Sequence, residues 1–251
     1  MAVYGGFAAA YDALMGERAS LGWHEKYAAV LSELGIVPPA KVLDAGCGTG
    51  YLSLALARAG YRVTGMDNAS AMLDKAAKAA REQDVRLMLA CGDITQEDSL
   101  SDLGRFSAVT AACDPVNYLS DPLPFFINAC QSLYPGGVLV FDVCTPEYYA
   151  SLGEGSYAQV LSSTVGILDT RPTDSGCEMA LTLFTRRKDG SYIRQDEVHT
   201  LYGHPLEKLV NMLHEAGFNK VTAKDFITLA PAGAENERWL ITAVNENDTE
   251  E

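Results

Sequence analysis

Five short, almost continuously apolar runs dominate the first half of the chain: KVLDA (41–45), YRVTGMD (61–67), VRLMLACGD (85–93), FSAVTAA (106–112) and GVLVFDV (137–143). Runs without polar alternation suit strands buried on both faces. Helical spacing fills the gaps. Leu52, Ala55, Leu56 and Ala59 recur at i, i+3, i+4 and i+7, with Gly60 to close the helix. SAMLDKAAKAARE (70–82) is an Ala-rich helix former that Ser70 would cap, and DPLPFFINACQSLYPGG (121–137) starts after prolines and ends at Pro135-Gly136-Gly137. Strands alternating with helices specify βαβ units and a mainly parallel sheet.

After Val143 the rhythm changes. Residues 157–202 are rich in β-formers, and Lys188-Asp189-Gly190 is an Asp-Gly hairpin signal that predicts antiparallel pairing of 177–188 with 191–202. Pro205 opens an amphipathic helix carrying Leu206, Leu209, Val210 and Leu213, which Gly217 ends, and strands are expected at 219–229 and 237–244. The organisation is therefore read as an N-terminal helical segment (1–40), an α/β core (41–145) and an antiparallel β insertion (146–204). A C-terminal helix with two strands (205–245) and a disordered acidic tail (246–251) complete it.

Nineteen basic residues against 33 acidic ones leave a formal charge of −14. Such a chain repels polyphosphate and anionic lipid, so neither a nucleic-acid nor a membrane partner is expected. No stretch reaches the roughly 18–20 apolar residues of a membrane span, and the N-terminus lacks the basic start and apolar core of a secretory signal. A cytoplasmic location is the expectation, as a monomer or homodimer. The six cysteines show no CxxC and no two of the four histidines lie at i, i+4, so reduced structural thiols and no metal are expected.

The strongest local signal is Val42-Leu43-Asp44-Ala45-Gly46-Cys47-Gly48-Thr49-Gly50, between a strand and a helix. Glycines there let the backbone approach a ligand closely, at a helix N-terminus. A dinucleotide site with G-x-G-x-x-G is the main rival, but Tyr51 stands where its third glycine belongs. Asp44 would repel a pyrophosphate and suits a cationic ligand. Asp67 ends the second strand, where a carboxylate accepts hydrogen bonds from a ribose diol. Asp93, in Cys91-Gly92-Asp93-Ile94, ends the third, where it could accept one from an adenine amino group. Three carboxylates thus gather on the carboxyl edge of consecutive strands, where open α/β sheets bind ligands.

The ordered set resembles the class I S-adenosylmethionine (SAM) dependent methyltransferases. VLDAGCGTG (42–50) is similar to their first motif, MDNASAMLDKA (66–76) to the second and CGDI (91–94) to the third. FSAVTAACDPVNYL (106–119) resembles the fourth, and LYPGGVLVFDV (133–143) the segment after it. The resemblance implies a Rossmann-like seven-stranded sheet whose last strand, RWLITAV, runs antiparallel, with the β insertion after strand 5. It also implies roles. Asp44, Ala45 and the turn Gly46, Cys47, Gly48 and Gly50 would face the methionine part of SAM. Asp67 with Asn68 would hold the ribose, Met72 would pack on the adenine, and Gly92, Asp93 and Ile94 would bind its edge. Ala112 and Cys113 would lie beside the cofactor. FAAAYDALMGERASLGWHEKY (7–27) resembles the cofactor-covering segment of sugar N,N-dimethyltransferases, so Tyr11 and Trp23 would close over SAM and residues 157–202 would cover the acceptor.

Methyl transfer from a sulfonium needs mainly alignment and exclusion of water, with a base only where the acceptor must lose a proton. Asp114, Glu197, His199 and Tyr202 are the substrate-side candidates. The sequence has CDPVNY where many nucleic-acid or protein amino-methylating enzymes carry Asn-Pro-Pro-Tyr, which together with the charge favours a small-molecule acceptor. Methylation of RNA or protein stays open, with Arg186-Arg187-Lys188 as its one basic cluster in the sequence. A non-catalytic SAM- or nucleotide-binding module, or an oxidoreductase of similar fold, is the third reading.

Overall fold

The computed structural model describes residues 22–161, 163–233 and 235–246. Tyr11, the rest of the covering segment up to residue 21, and most of the acidic tail (247–251) lie outside them. The main sheet has seven strands: β1 (Lys41–Ala45), β2 (Arg62–Asp67), β3 (Met88–Cys91), β4 (Phe106–Ala111), β5 (Leu133–Cys144), β10 (Lys220–Asp225) and β11 (Arg238–Val244). Their order is β10-β11-β5-β4-β1-β2-β3. β1 pairs in parallel with β2 and β4, β2 with β3, and β4 with β5, whereas β11 runs antiparallel to β5 and β10. The chain moves outward from β1 to β3 and then returns to β4 on the other side, so the strand order reverses between β1 and β4.

Helices α1 (Trp23–Glu33), α2 (Tyr51–Arg58), α3 (Ser70–Glu82), α4 (Leu123–Ser132), α5 (Pro146–Leu152) and α6 (Leu206–Glu215) complete the core. Strand residues alternate between two cores, as burial on both faces requires. Val42, Val138 and Val140 pack with Trp23, Tyr27, Leu31, Leu52 and Leu56 from α1 and α2. Leu43, Leu139, Phe141 and Val143 pack with Phe125, Phe126, Leu209 and Leu213 from α4 and α6.

Between α5 and α6 lies a separate sheet of β6 (Gly155–Val160), β7 (Thr164–Thr173), β8 (Gly176–Arg186) and β9 (Tyr192–Tyr202), all antiparallel. The expected hairpin forms: Arg186 faces Tyr192, and Gly190 takes φ +86° after a turn closed by its N–H to the Arg187 carbonyl. This sheet seats on the core through Cys144, Tyr149, Cys177 and Leu201.

Several expected boundaries move. α4 stops at Ser132, and Leu133 already pairs with Phe106 in β5. The Pro135-Gly136-Gly137 stretch, read as a helix end, lies inside that strand because Gly136 and Gly137 exchange backbone hydrogen bonds with Asn245. β3 is confined to Met88–Cys91, and β10 ends at Asp225, whose side chain turns the chain by accepting from Thr228. Ser70 does not cap α3. Ala69 is the N-cap, and its N–H is taken by Asp67 Oδ1 at 2.9 Å.

Candidate active site

A cavity of about 400 Å³ opens at the carboxyl ends of β1, β2, β3 and β4, where the strand order reverses. Asp44 leaves β1 into its floor, 2% exposed, with Thr110 Oγ1 donating to Oδ1 at 3.0 Å and Ser53 Oγ to Oδ2 at 2.5 Å. Burial pushes its carboxyl up from 3.8 to about 6, against the two hydroxyl hydrogen bonds that favour the ionised form. Gly46 and Gly48 take φ +72° and +54° and bend the chain over the strand end.

Asp67 ends β2 with both oxygens engaged. Gly48 N–H donates to Oδ2 at 2.8 Å and Ala69 N–H to Oδ1 at 2.9 Å, so the carboxylate ties the glycine turn to the start of α3. Partial burial raises its pKa, opposed by those N–H bonds. Asp93 at the end of β3 accepts from the N–H and hydroxyl of Thr95, at 2.8 and 2.7 Å. Met72 and Ile94 supply apolar wall, and Asn68, Gly92, Ala112 and Cys113 also line the space.

The loop after β4 carries unusual backbone. Cys113 and Asp114 have φ +63° and +77°, a region that costs non-glycine residues of order 1–3 kcal/mol each. A buried hub holds it there. Asp142, fully buried on β5, takes at Oδ1 the Cys113 N–H at 3.0 Å, the Tyr27 hydroxyl at 2.7 Å and the Trp23 indole N–H at 2.9 Å. Arg238 bridges Asp142 to Asp114, whose Oδ1 lies 2.6 Å from Nη1. Its two carboxylate neighbours keep the guanidinium charged despite burial. Trp23 is thereby fixed as a wall of the cavity.

Of the residues singled out in the sequence, Trp23, Asp44, Gly46, Cys47, Gly48, Asp67, Asn68, Met72, Gly92, Asp93, Ile94, Ala112 and Cys113 line this cavity. Ala45 and Gly50 do not. Ala45 is buried in the sheet, and a Cβ on Gly50 would meet that of Ala76 at 3.0 Å, so Gly50 lets α2 approach α3. Among the substrate-side candidates, Asp114 is held by Arg238, and Tyr202 serves through its backbone carbonyl, which accepts from Asn117 at 2.8 Å. Glu197 and His199 lie on the inner face of β9, and His199 meets Tyr118, itself a lining residue. Thr49, Tyr51, Leu52, Thr95, Pro115, Tyr118 and Leu119 also line it, with no role assigned to them from the sequence. Thr49, Tyr51 and Leu52 are signalled by their place at the α2 start, and Tyr118 and Leu119 by closing the stretch that resembles the fourth motif. Among the described residues no group of three His, Cys, Asp or Glu converges as a metal site, and no helix is long and apolar enough to cross a membrane.

A seven-stranded sheet with one antiparallel strand, and a cavity at its switch point lined by a glycine turn and three strand-end carboxylates, define a Rossmann-like α/β protein. Residues 42–137 match the methyltransferase-domain family. A Geobacillus sp. chain assigned by name to the methyltransferases is 32% identical over 91% of this chain and 94% of its own length. This protein therefore belongs to the class I SAM-dependent methyltransferases. Its fold is shared by a SAM-dependent methyltransferase from Clostridium acetobutylicum, with TM-score 0.83 at 24% identity over 97% of this chain and 99% of that one. It is shared too by a SAM-bound amino pentose methyltransferase from Micromonospora echinaspora, with TM-score 0.67 at 24% identity over 92% and 96%.

Proposed function

We propose that this enzyme moves the methyl group of SAM to a nitrogen or oxygen of a small metabolite, in the cavity at the β1/β4 switch point. The carrying observation is Asp44: a buried carboxylate, raised to about 6 and lining the cavity beside the glycine turn, suits a ligand end that brings positive charge. The volume of about 400 Å³ lies in the range of small-ligand sites. Asp44 with Gly46, Cys47 and Gly48 would hold the cationic amino-acid end, and Asp67 with Asn68 the ribose. Met72, Gly92, Asp93 and Ile94 would sandwich and edge the adenine, with Ala112 and Cys113 beside the reacting centre and Trp23 over it.

SAM supplies an activated methyl and its own leaving group. The chain must bind it, orient the acceptor in line and keep water out. The four-stranded sheet seated on Cys144 and Tyr149 supports a lid over the acceptor side, and a net charge of −14 favours a small acceptor over RNA.

The test is a thermal melt and calorimetric titration with S-adenosylhomocysteine, NADH and ATP, followed by methyl-labelled SAM with a bacterial metabolite extract. S-adenosylhomocysteine at 100 times its Kd should add about 2.7 kcal/mol of stability. Label should appear in a low-mass product. Stabilisation by NADH alone, or label confined to RNA or protein, would overturn this reading.

A further inference from the structure

Behind Tyr118 the cavity wall continues into the lid. The Tyr118 hydroxyl lies 3.1 Å from His199 Nδ1, and His199 Nε2 stands 3.6 Å from Glu197 Oε2. Tyr118 belongs to the 3-10 turn Pro115–Tyr118 after β4, while His199 and Glu197 alternate on the inner face of β9 with Leu201. His199 is 6% exposed, and the Glu197 side chain 13%. The cluster beside them, Cys144, Tyr149, Cys177 and Leu201 with Tyr148 and Met179 against it, is apolar and aromatic. Packing alone would be served better by an apolar side chain at 199 and at 197, since buried polar groups cost free energy unless partnered. Two separately formed layers, the β4 loop and the lid, instead meet through a phenol, an imidazole and a carboxylate in line from the cavity.

We propose that Tyr118, His199 and Glu197 form a proton relay that takes the proton an N–H or O–H acceptor sheds on methylation; the proposal rests on the methyltransferase reading above. As the bond from the acceptor to the methyl carbon forms, the bond from that carbon to sulfur breaks and its electron pair stays on sulfur. The acceptor's proton passes to the Tyr118 oxygen, and the Tyr118 proton passes to His199 Nδ1. Glu197 faces the imidazolium so formed, which returns its proton to solvent after product leaves. Burial holds the His199 pKa below its ordinary value, with the Glu197 charge opposing, so the ring stands neutral at pH 7 and ready to accept. Among the described residues, the groups facing the ring include Tyr118 from the loop and Glu197 from its own strand, with Cys144, Cys177, Tyr148 and Tyr149 in the adjoining cluster. The relay narrows the acceptor to an amine or hydroxyl with a removable proton, and rejects tertiary amines and thioethers, which have none to give.

The test compares the wild type with Tyr118→Phe, His199→Gln and Glu197→Gln. Calorimetry with S-adenosylhomocysteine comes first: absent binding in the wild type would sink the methyltransferase reading itself, and the three variants should bind within about twofold of it. Nitrogen NMR of the histidine rings reads the relay without turnover. One resonance pair, missing in His199→Gln, should show a hydrogen-bonded Nδ1 and a pKa below 6.5. Its Nδ1 shift should change in Tyr118→Phe, and its pKa should fall further in Glu197→Gln. With methyl-labelled SAM at saturation and metabolite extract, Tyr118→Phe and His199→Gln should lower labelling about a hundredfold or more. His199→Gln should also erase the acid limb of the rate. Folded variants that label at the wild-type rate, an Nδ1 indifferent to Tyr118, or label on an atom without a removable proton would overturn the relay. A wild type that binds S-adenosylhomocysteine yet labels nothing would overturn the small-acceptor reading and the relay with it.

Discussion

At the scale of single residues, Asp67 does two jobs with one carboxylate, because the backbone N–H groups of Gly48 and Ala69 already occupy one lone pair on each oxygen. Hydrogen bonds to a charged group contribute about 1.5–3 kcal/mol, and about 1.4 kcal/mol is tenfold in affinity. Asp67→Ala should therefore weaken S-adenosylhomocysteine by at least about tenfold in a calorimetric titration; unchanged affinity in the folded variant would remove Asp67 from the site. Asp67→Asn should weaken S-adenosylhomocysteine less than Ala does, since an amide keeps one acceptor oxygen. Its stability is a separate matter: the amide must point its NH2 at one of two N–H donors, so Asn should melt no higher than Ala. Asp44 titrates differently. Its folded carboxyl binds a proton up to about pH 6, while the unfolded one ordinarily releases it near 3.8. Burying the ionised form thus costs stability above this window, and the cost is relieved as pH falls through it. A cationic ligand favours the ionised form, so SAM affinity should fall below pH 6, by up to about tenfold per unit, with a proton released on binding. Titrations in buffers of different ionisation enthalpy would show that proton, and a flat affinity from pH 5 to 8 would exclude Asp44 from charge recognition. Both carboxylates were legible from their strand ends. The pairing of Asp114 with Arg238 was not legible, because the two are distant in sequence and only the fold brings them together.

At the scale of elements, the glycine turn separates grip on ligand from support of the fold. A Cβ on Gly46 would stand 2.8 Å from Pro115 Cγ, whereas one on Gly48 meets nothing within 4 Å. Gly46→Ala should lower the melting temperature sharply by forcing the β1 turn off the β4 loop. Gly48→Ala carries mainly the left-handed backbone penalty, of order 1–3 kcal/mol, and Gly48 lines the cavity with open space around its Cβ position, so on the proposed reading it should lose S-adenosylhomocysteine affinity more than stability. Equal melting losses in the two variants would contradict this division. The four-stranded sheet is tied to the core by Asn117, fully buried, whose Nδ2 donates to the Cys144 and Tyr202 carbonyls at 3.1 and 2.8 Å while Oδ1 accepts from Cys144 N–H at 2.9 Å. Asn117→Ala strands these groups and should cost at least about 2 kcal/mol, a melting drop of about 4–8 °C for a chain of this size. A drop under 2 °C would mean that the tie is replaceable. The order and type of the elements followed from apolar runs and hairpin chemistry. The start of β5 did not, because Tyr134-Pro135-Gly136-Gly137 has turn composition and becomes strand only by pairing with Asn245, at the far end of the chain.

At the scale of the whole molecule, charge is the coarsest determinant of partner, and the fold redistributes it. Lys41, Arg58, Arg62, Arg86 and Arg105, scattered in sequence, line one cleft at the amino ends of the strands, opposite the cofactor cavity. RNA binding should be weak and steeply salt-dependent, confined to that cleft, and gel-shift titration at near-physiological salt should show no tight complex; sequence-selective binding there would contradict the small-acceptor reading. The sequence pointed instead to Arg186-Arg187-Lys188, because adjacency in the chain is all that a linear reading can weigh. The placement of the four-stranded sheet has a further meaning. Its two ends meet, with Gly203 packed so closely on Pro146 that a Cβ would fall 2.8 Å from the proline Cα. A loop whose ends are already pinned grows cheaply, each doubling of length costing only about 0.6 kcal/mol of closure entropy. The stretch 147–202 can thus change length at little entropic cost while the strands of the main sheet keep their register. On the proposed reading, the choice of acceptor is then a detachable trait, able to be rewritten many times over one unchanging source of methyl groups.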